Sequence, residues 1–331
     1  MTRFHDRFER YFNRLWYEQA RPGFGWRALS GLYGMAARRH LARDYGKPPG
    51  PVIVVGNITV GGGGKTPVVA ALSSELLSAG WRVAIISRGY GGRTSDEPFQ
   101  VLPADDPKQC GDEPLLLART TGCPVWVCRK RGLAMHAAFD DGADVVLSDD
   151  GLQHAGLPRS FEICVIDEAR GFGNGQLLPA GPLRQPVARL DLVDLVLRKQ
   201  AGGSASVSGL PGQAFAIEPG QAYRLADRQP VDLPSDQALD AVCGIANPES
   251  FFATLEHLGL YFRCHPFPDH HVFDSQALAS LEGPLIVTEK DAVKLESLEG
   301  LPETLVLPVR ASLPRSATQP VLEHVRNFNS T

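Results

Sequence analysis

Apolar positions along the chain change rhythm several times, and each rhythm predicts a different element. Near the start, Phe4, Phe8, Tyr11, Phe12, Leu15 and Trp16 recur at steps of three and four residues, the spacing of one helix face. Arg3, Arg7, Arg10 and Arg14 follow the same steps on an adjacent stripe. After the break at Pro22-Gly23 the pattern resumes with Trp26, Leu29, Leu32, Tyr33 and Met35, and Arg38, Arg39 and Arg43 gather behind them. Short β-branched runs then take over: PVIVVG at 51–56, RVAIIS at 82–87, PVWVC at 124–128, DVVL at 144–147 and FEICVI at 161–166. Such runs fit strands buried on both faces, and PVVAALSSELLSAGW after the first has helical spacing. Strands alternating with helices predict a doubly wound, mainly parallel α/β sheet with ligands at the carboxyl ends of its strands.

Around residues 200–212 the chain turns small, polar and glycine-rich, which marks a boundary. Further strands near 241–244, 285–288 and 305–309, with FFATLEHLGL as a helix among them, predict a second, smaller α/β domain. The expected organisation is an amphipathic arm at 1–46, a core domain at 47–200 and a smaller domain at 201–331 that closes over a cleft.

The 331 residues are 43% hydrophobic and 21% charged, a soluble globular balance. The net charge of −4 argues against general nucleic-acid binding, but residues 1–46 alone hold nine Arg and four Asp or Glu. That local excess points to an anionic partner. The aromatic and arginine stripes suit a membrane interface with anionic headgroups; docking of the same faces on the protein's own core is the alternative. No stretch is apolar enough to span a bilayer, and the N-terminus has no cleavable-signal pattern, so an intracellular protein is expected. The six cysteines show no C-x-x-C pair and no zinc spacing, as expected of reduced thiols.

The chemistry concentrates after the first strand, in GNITVGGGGKTP at 56–67. Strand, glycine loop and helix are the context of a phosphate-binding loop. The usual G-x-x-x-x-G-K-[ST] pattern fails here at one place, because Thr59 stands where the first glycine should be. Gly61, Gly62, Gly63 and Gly64 supply backbone freedom, Lys65 the charge and Thr66 a hydroxyl for a metal ion. SDDGLQH at 148–154 ends another apolar strand in two carboxylates, Asp149 and Asp150, as a magnesium-organising element does. SRGYGG follows a third strand at 87–92.

Taken together these residues resemble the tetraacyldisaccharide 4'-kinases, the lipid A 4'-kinases of Gram-negative bacteria. The resemblance covers nearly the whole chain through the basic arm, GNITVGGGGKTP, SRGYGG, GDEP at 111–114, SDDGLQH, FGNGQLLPAGPLR at 172–184, FPDHHVF at 267–273 and VTEKDAVKL at 287–295. It implies a P-loop NTPase-like fold, with ATP and Mg²⁺ used to phosphorylate the 4'-hydroxyl of a tetraacylated disaccharide 1-phosphate. The product would be lipid IVA, made at the cytoplasmic face of the inner membrane, with no obligate protein partner. Thr59, Val60, Gly61 to Gly64, Lys65, Thr66 and Arg184 would then hold ATP. Thr66, Asp149 and Asp150 would organise Mg²⁺, with Glu113 and Gln153 as second candidates. Asp112 would act as general base with His270 as its partner, and Arg88, Tyr90, Arg131 and His154 would meet the substrate. The family pattern carries Glu after PLR; this chain has Gln185.

Other readings follow from the residues themselves. Asp112 could be a helix N-cap, and His265, Asp269, His270 and His271 could form a zinc site. A membrane-associated switch ATPase shares GGxGKT, but carries a lysine where this chain has Val60.

Overall fold

The computed structural model describes residues 11–18, 22–41, 46–92, 96–202, 207–234 and 236–328. Arg3, Arg7, Arg10 and Arg43, and the side chains of Arg38 and Arg39, lie outside what is described.

The first sheet is laid down as β1 (Val52–Gly56), β2 (Val83–Ser87), β3 (Phe99–Val101), β4 (Val125–Val127), β5 (Val145–Asp149), β6 (Phe161–Asp167), β7 (Leu195–Lys199) and β8 (Gln213–Pro219). A second sheet follows, from β9 (Tyr223–Arg224), β10 (Leu239–Cys243), β11 (Phe262–Pro266), β12 (Leu285–Thr288) and β13 (Thr304–Leu307). The last strand, β14 (Val309–Ser312), returns to the first sheet, whose order is β14-β8-β7-β6-β1-β5-β2-β4-β3. Its inner strands are parallel, and only the outermost pairs, β3 with β4 and β14 with β8, run antiparallel. The second sheet has the order β11-β10-β12-β13-β9.

Both faces of the first sheet are covered, which is why its strands read as unbroken apolar runs rather than alternating ones. Ile53 and Val55 of β1 pack toward the helices Lys65–Ser78 and Arg315–Phe328, while Val52 and Val54 pack toward Ala134, Met135 and Ala138 of the helix Arg131–Asp140. Each such fully buried side chain contributes about 1.5–3 kcal/mol through apolar burial.

The division expected near residue 200 falls elsewhere in the sheets. β8 adds to the first sheet beyond that point, and β14 and the final helix rejoin it, so the second sheet is an insertion spanning residues 223–307. The glycine-rich stretch is a connection between adjacent strands of one sheet. Ala317, Val321 and Val325 of the last helix complete the first core, an apolar face that needed a sheet to cover.

Candidate active site

The phosphate loop leaves β1 and enters the helix Lys65–Ser78. Positive φ angles fall at Gly61 (105°) and Gly64 (83°), where a side chain would be strained, and not at Thr59. Thr59 instead bridges Leu183, while the Val60 N–H donates to the Pro182 carbonyl at 2.8 Å and the Arg184 N–H to the Ile58 carbonyl at 2.7 Å. The opening of the loop is therefore braced as a short extended pair against the PAGPLR segment. A bridge needs no glycine, which accounts for the departure at Thr59.

Beyond the loop, β5 ends in Asp149, held in register beside Val55 of β1. The Thr66 hydroxyl donates to Asp149 Oδ2 at 3.2 Å, and Asp149 Oδ1 is buried without a hydrogen-bond partner. Burial, and after it the nearby charge of Glu113, push the Asp149 carboxyl up to about 7. Asp150 follows in the left-handed region at φ 50°. Lys65 Nζ stands 3.4 Å from Asp150 Oδ1 and Arg184 Nη1 3.2 Å from Oδ2. Although burial opposes its ionisation, Lys65, then Arg184 and Arg131, hold Asp150 well below the usual carboxylate range.

These donors fit Mg²⁺: a hydroxyl and an orphaned carboxylate oxygen, all hard ligands, at the foot of a phosphate cradle. Among the described residues no three His, Cys, Asp or Glu converge as a metal cluster. The remaining ligands would come from phosphates and water, as is usual for this ion. The same observation disposes of the four-residue zinc reading: His265 Nε2 lies 2.8 Å from Asp240, and His271 packs 4.7 Å from the Phe267 ring. Gln153 turns its amide to the protein, donating to the Asn57 carbonyl at 2.7 Å and to Gln185 Oε1 at 3.1 Å, and accepting from Arg184 at 3.2 Å. Gln185 is buried in that network, where its carbonyl oxygen accepts as a carboxylate would.

The other wall joins a helix of the first sheet to loops and a helix of the second. Asp112 opens the helix Asp112–Thr121 behind Gly111, so it is the first helical residue and not the cap, and its Oδ1 accepts from the Glu113 N–H at 3.0 Å. Its Oδ2 lies 3.0 Å from Nδ1 of His270, which belongs to the loop after β11 and adopts φ 57°. A non-glycine residue in that region costs about 1–3 kcal/mol and persists where its surroundings fix it. Here the Asp112 contact, a 3.1 Å bond from the His270 N–H to Asp269, and the Tyr90 ring 4.9 Å away do so. The Asp112 hydrogen bond raises the His270 pKa above its ordinary value. Burial pushes Asp112 up, but His270 and Lys290 outweigh it and leave the carboxyl lowered.

Lys290 is the residue that the motif reading passed over, since in VTEKDAVKL it looks like one more surface lysine. Folded, its Nζ lies 2.9 Å from Glu113, 3.1 Å from Asp269 and 3.9 Å from Asp112. One ammonium thus ties both carboxylates of GDEP to the FPDHH loop.

Of the expected substrate residues, Arg88 and Tyr90 are exposed and line the same cleft, about 2600 Å³ in volume. Arg131 is buried, donating to the Asp150 carbonyl at 2.6 Å, and burial lowers its pKa. His154 accepts from the Gly156 N–H on Nδ1 and reaches the Arg129 carbonyl with Nε2; burial, then Arg131, lowers it to about 4, so the ring is neutral.

The arm divides its apolar residues between two faces. In the helix Phe24–Leu41, Trp26, Ser30, Tyr33, Gly34 and Ala37 face the protein; Ser30 donates to the Leu177 carbonyl and Tyr33 to the Arg184 carbonyl. Leu29, Leu32 and Met35 point outward and are more than half exposed or close to it, at 50%, 61% and 57%. Among the described residues no helix is long and apolar enough to cross a membrane.

A parallel sheet with a braced phosphate loop, a lysine, and a hydroxyl-carboxylate pair beneath it defines a P-loop nucleotide-binding protein. A solved structure of LpxK from Aquifex aeolicus in complex with ATP has this fold, with a TM-score of 0.72 at 24% identity over 91% of this chain and 97% of that one. The profile of tetraacyldisaccharide-1-P 4'-kinase matches residues 25–326. Proteins named tetraacyldisaccharide 4'-kinase are similar throughout: that of Alkalilimnicola ehrlichii is 47% identical over 90% of each chain, and that of Dechloromonas aromatica 43% identical over 96% of this chain and 98% of its own. The chain belongs to the tetraacyldisaccharide 4'-kinase family.

Proposed function

We propose how this chain, an ATP-dependent kinase of lipid A biosynthesis by its family, moves a phosphoryl group from ATP to the 4'-hydroxyl of tetraacyldisaccharide 1-phosphate. The amides of Gly61 to Gly64 and the ammonium of Lys65 hold the triphosphate, while Thr66 and Asp149 would hold Mg²⁺ with Glu113 nearby. When bound, Mg²⁺ neutralises charge on the β- and γ-phosphate oxygens. Arg184 and Lys65 are kept in place by Asp150. Across the cleft, Asp112 takes the proton of the attacking hydroxyl as the new O–P bond forms and the bond to the β-phosphate oxygen breaks, releasing ADP. Nδ1–H of His270 fixes the orientation of that carboxylate, and Lys290 fixes the loop that carries His270. Arg88 and Tyr90, exposed at the cleft, meet the disaccharide and its phosphate. Leu29, Leu32 and Met35 rest on the cytoplasmic face of the inner membrane, where the lipid substrate resides.

The observation that carries this reading is the Asp112–His270 pair, 3.0 Å apart and facing the cleft that Lys65 and Thr66 also line. The test is transfer of label from γ-labelled ATP to the purified disaccharide 1-phosphate in detergent by wild type and by Asp112→Asn. Wild type labels the lipid and the variant does so far more slowly. Equal ATP turnover with and without acceptor, and no labelled lipid, would overturn it in favour of a switch ATPase.

A further inference from the structure

Arg170, in the loop after β6, is half-buried and lines the cleft, and it plays no part in the scheme above. Its Nη2 donates to the Ala246 carbonyl at 3.2 Å and to Asn247 Oδ1 at 3.2 Å, both in the loop after β10 of the second sheet. The guanidinium carbon lies 5.4 Å from the centre of the Tyr17 ring in the arm. Its Nη1 stands 3.1 Å from the point a Cβ on Gly61 would occupy. So one guanidinium is positioned by the second sheet and the arm, with its Nη1 against the phosphate loop.

Its partners are a carbonyl, an amide and a phenol ring, all neutral. The other cations at the loop differ: Lys65 and Arg184 share Asp150, and Lys199 pairs with Asp167 at 2.8 Å. Among the described residues Arg170, unlike those cations, forms no ion pair with a carboxylate. In a phosphate loop the later amides hold the α- and β-phosphates and the lysine reaches to the β- and γ-phosphates. The terminal phosphate then projects over the opening of the loop, where Gly61 lies. A planar fork of donors suits its oxygens, and neutralising charge there as transfer proceeds is the recognised role of an arginine supplied to such sites.

We propose that Arg170 is a catalytic residue, an arginine finger supplied in cis, whose Nη1 edge binds the γ-phosphate oxygens of ATP and binds them most tightly during transfer. Asn247 and Tyr17 are its positioning residues, so the finger is in place only when the second sheet and the arm are both docked. This rests on the reading that the loop holds ATP for transfer. It also gives Gly61 a second reason to lack a side chain, beyond its φ of 105°.

The experiment compares wild type with Arg170→Ala, Arg170→Lys and Asn247→Ala. It measures kcat and KM for transfer, and separately the affinity for MgADP alone and for MgADP with aluminium fluoride, which mimics the transferring phosphoryl group. Arg170→Ala is expected to lose about 10³-fold in kcat and its preference for the fluoride complex, with MgADP affinity unchanged. Retained MgADP binding also shows that the variant is folded. Arg170→Lys keeps part of the preference, added guanidinium ion restores part of the activity of Arg170→Ala, and Asn247→Ala loses roughly tenfold in kcat. The proposal is overturned if Arg170→Ala keeps wild-type kcat, if it weakens MgADP and the fluoride complex equally, or if Asn247→Ala reproduces its loss in full. Wild type that traps the fluoride complex through Arg170 yet leaves the disaccharide unlabelled would sink the choice of acceptor and leave the finger standing.

Discussion

Nδ1 of His270 lies 3.0 Å from Oδ2 of Asp112 although 158 positions separate them in the chain. One residue opens a helix on the first sheet and the other sits in a loop of the second, so the pair exists only when the two sheets face each other. In the proposed role Asp112 takes the proton in the transition state, so its loss falls on kcat. Asp112→Asn and His270→Ala should therefore lower kcat by about 10²–10⁴-fold, with KM for ATP nearly unchanged. Steady-state kinetics at saturating lipid would check this, and a loss confined to KM for ATP would contradict the assignment.

The same pair predicts a pH signature. The Asp112 hydrogen bond holds His270 above 6.5, while burial and Lys290 act in the opposite sense. In Asp112→Asn both contributions of Asp112 are lost and only Asp269 still opposes burial and Lys290, so the ring should titrate lower in the variant than in wild type. NMR of the imidazole protons reads both. Because the folded value is raised, this stabilisation is complete below the ordinary histidine value and fades as pH rises through the folded value. The stability gap between wild type and variant, from denaturant melts, should therefore narrow as pH rises above 6.5; a widening gap would reverse the sign.

Lys290 predicts a different kind of damage. Burial opposes its charge, yet Glu113, Asp112 and Asp269 keep it ionised and raise its pKa far above the ordinary value. Lys290→Met would leave three carboxylates facing one another without their cation. Stability should fall by about 3 kcal/mol, the usual result of removing one partner from a buried ionic group. Lys290→Arg should recover much of it. Chemical denaturation of the three proteins decides, and a Met variant as stable as wild type would mean that the ammonium ties nothing together.

Loop chemistry separates two threonine and glycine positions that the motif treats alike. Gly64→Ala must adopt φ 83° and meets Lys199 Cδ at 3.2 Å, so ATP affinity should drop about 5- to 30-fold, from a backbone cost of about 1–2 kcal/mol. Thr59→Gly restores the standard motif but gains nothing, because its backbone is already a bridge to Leu183. Calorimetric titration with ATP would show near-equal affinity for Thr59→Gly and wild type.

On the arm, Leu29→Glu, Leu32→Glu and Met35→Glu change side chains that point away from the protein. The triple variant should keep its melting temperature and lose most binding to vesicles containing anionic lipid. Flotation with such vesicles measures it, and undiminished binding would remove the helix from the membrane interface.

Sequence alone determined the parallel strands, the phosphate loop, the acids after β5 and the family, because each is a local pattern: an apolar run, a glycine turn, a carboxylate at a strand end. It did not determine the bounds of the second sheet. β8, β14 and the closing helix join the first sheet by pairings whose partners are distant in the chain, and a glycine-rich connection looks the same within a sheet as between domains. Nor did it separate Trp26 and Tyr33, which face the protein, from Leu29, Leu32 and Met35, which do not, since one apolar stripe can be split by a neighbour. The roles open to Lys290 and Arg170 belonged wholly to tertiary structure. An isolated lysine or arginine carries no signal of its own, and its meaning is set by which carboxylates, carbonyls or backbone turns the fold brings within about 3 Å, the reach of a hydrogen bond.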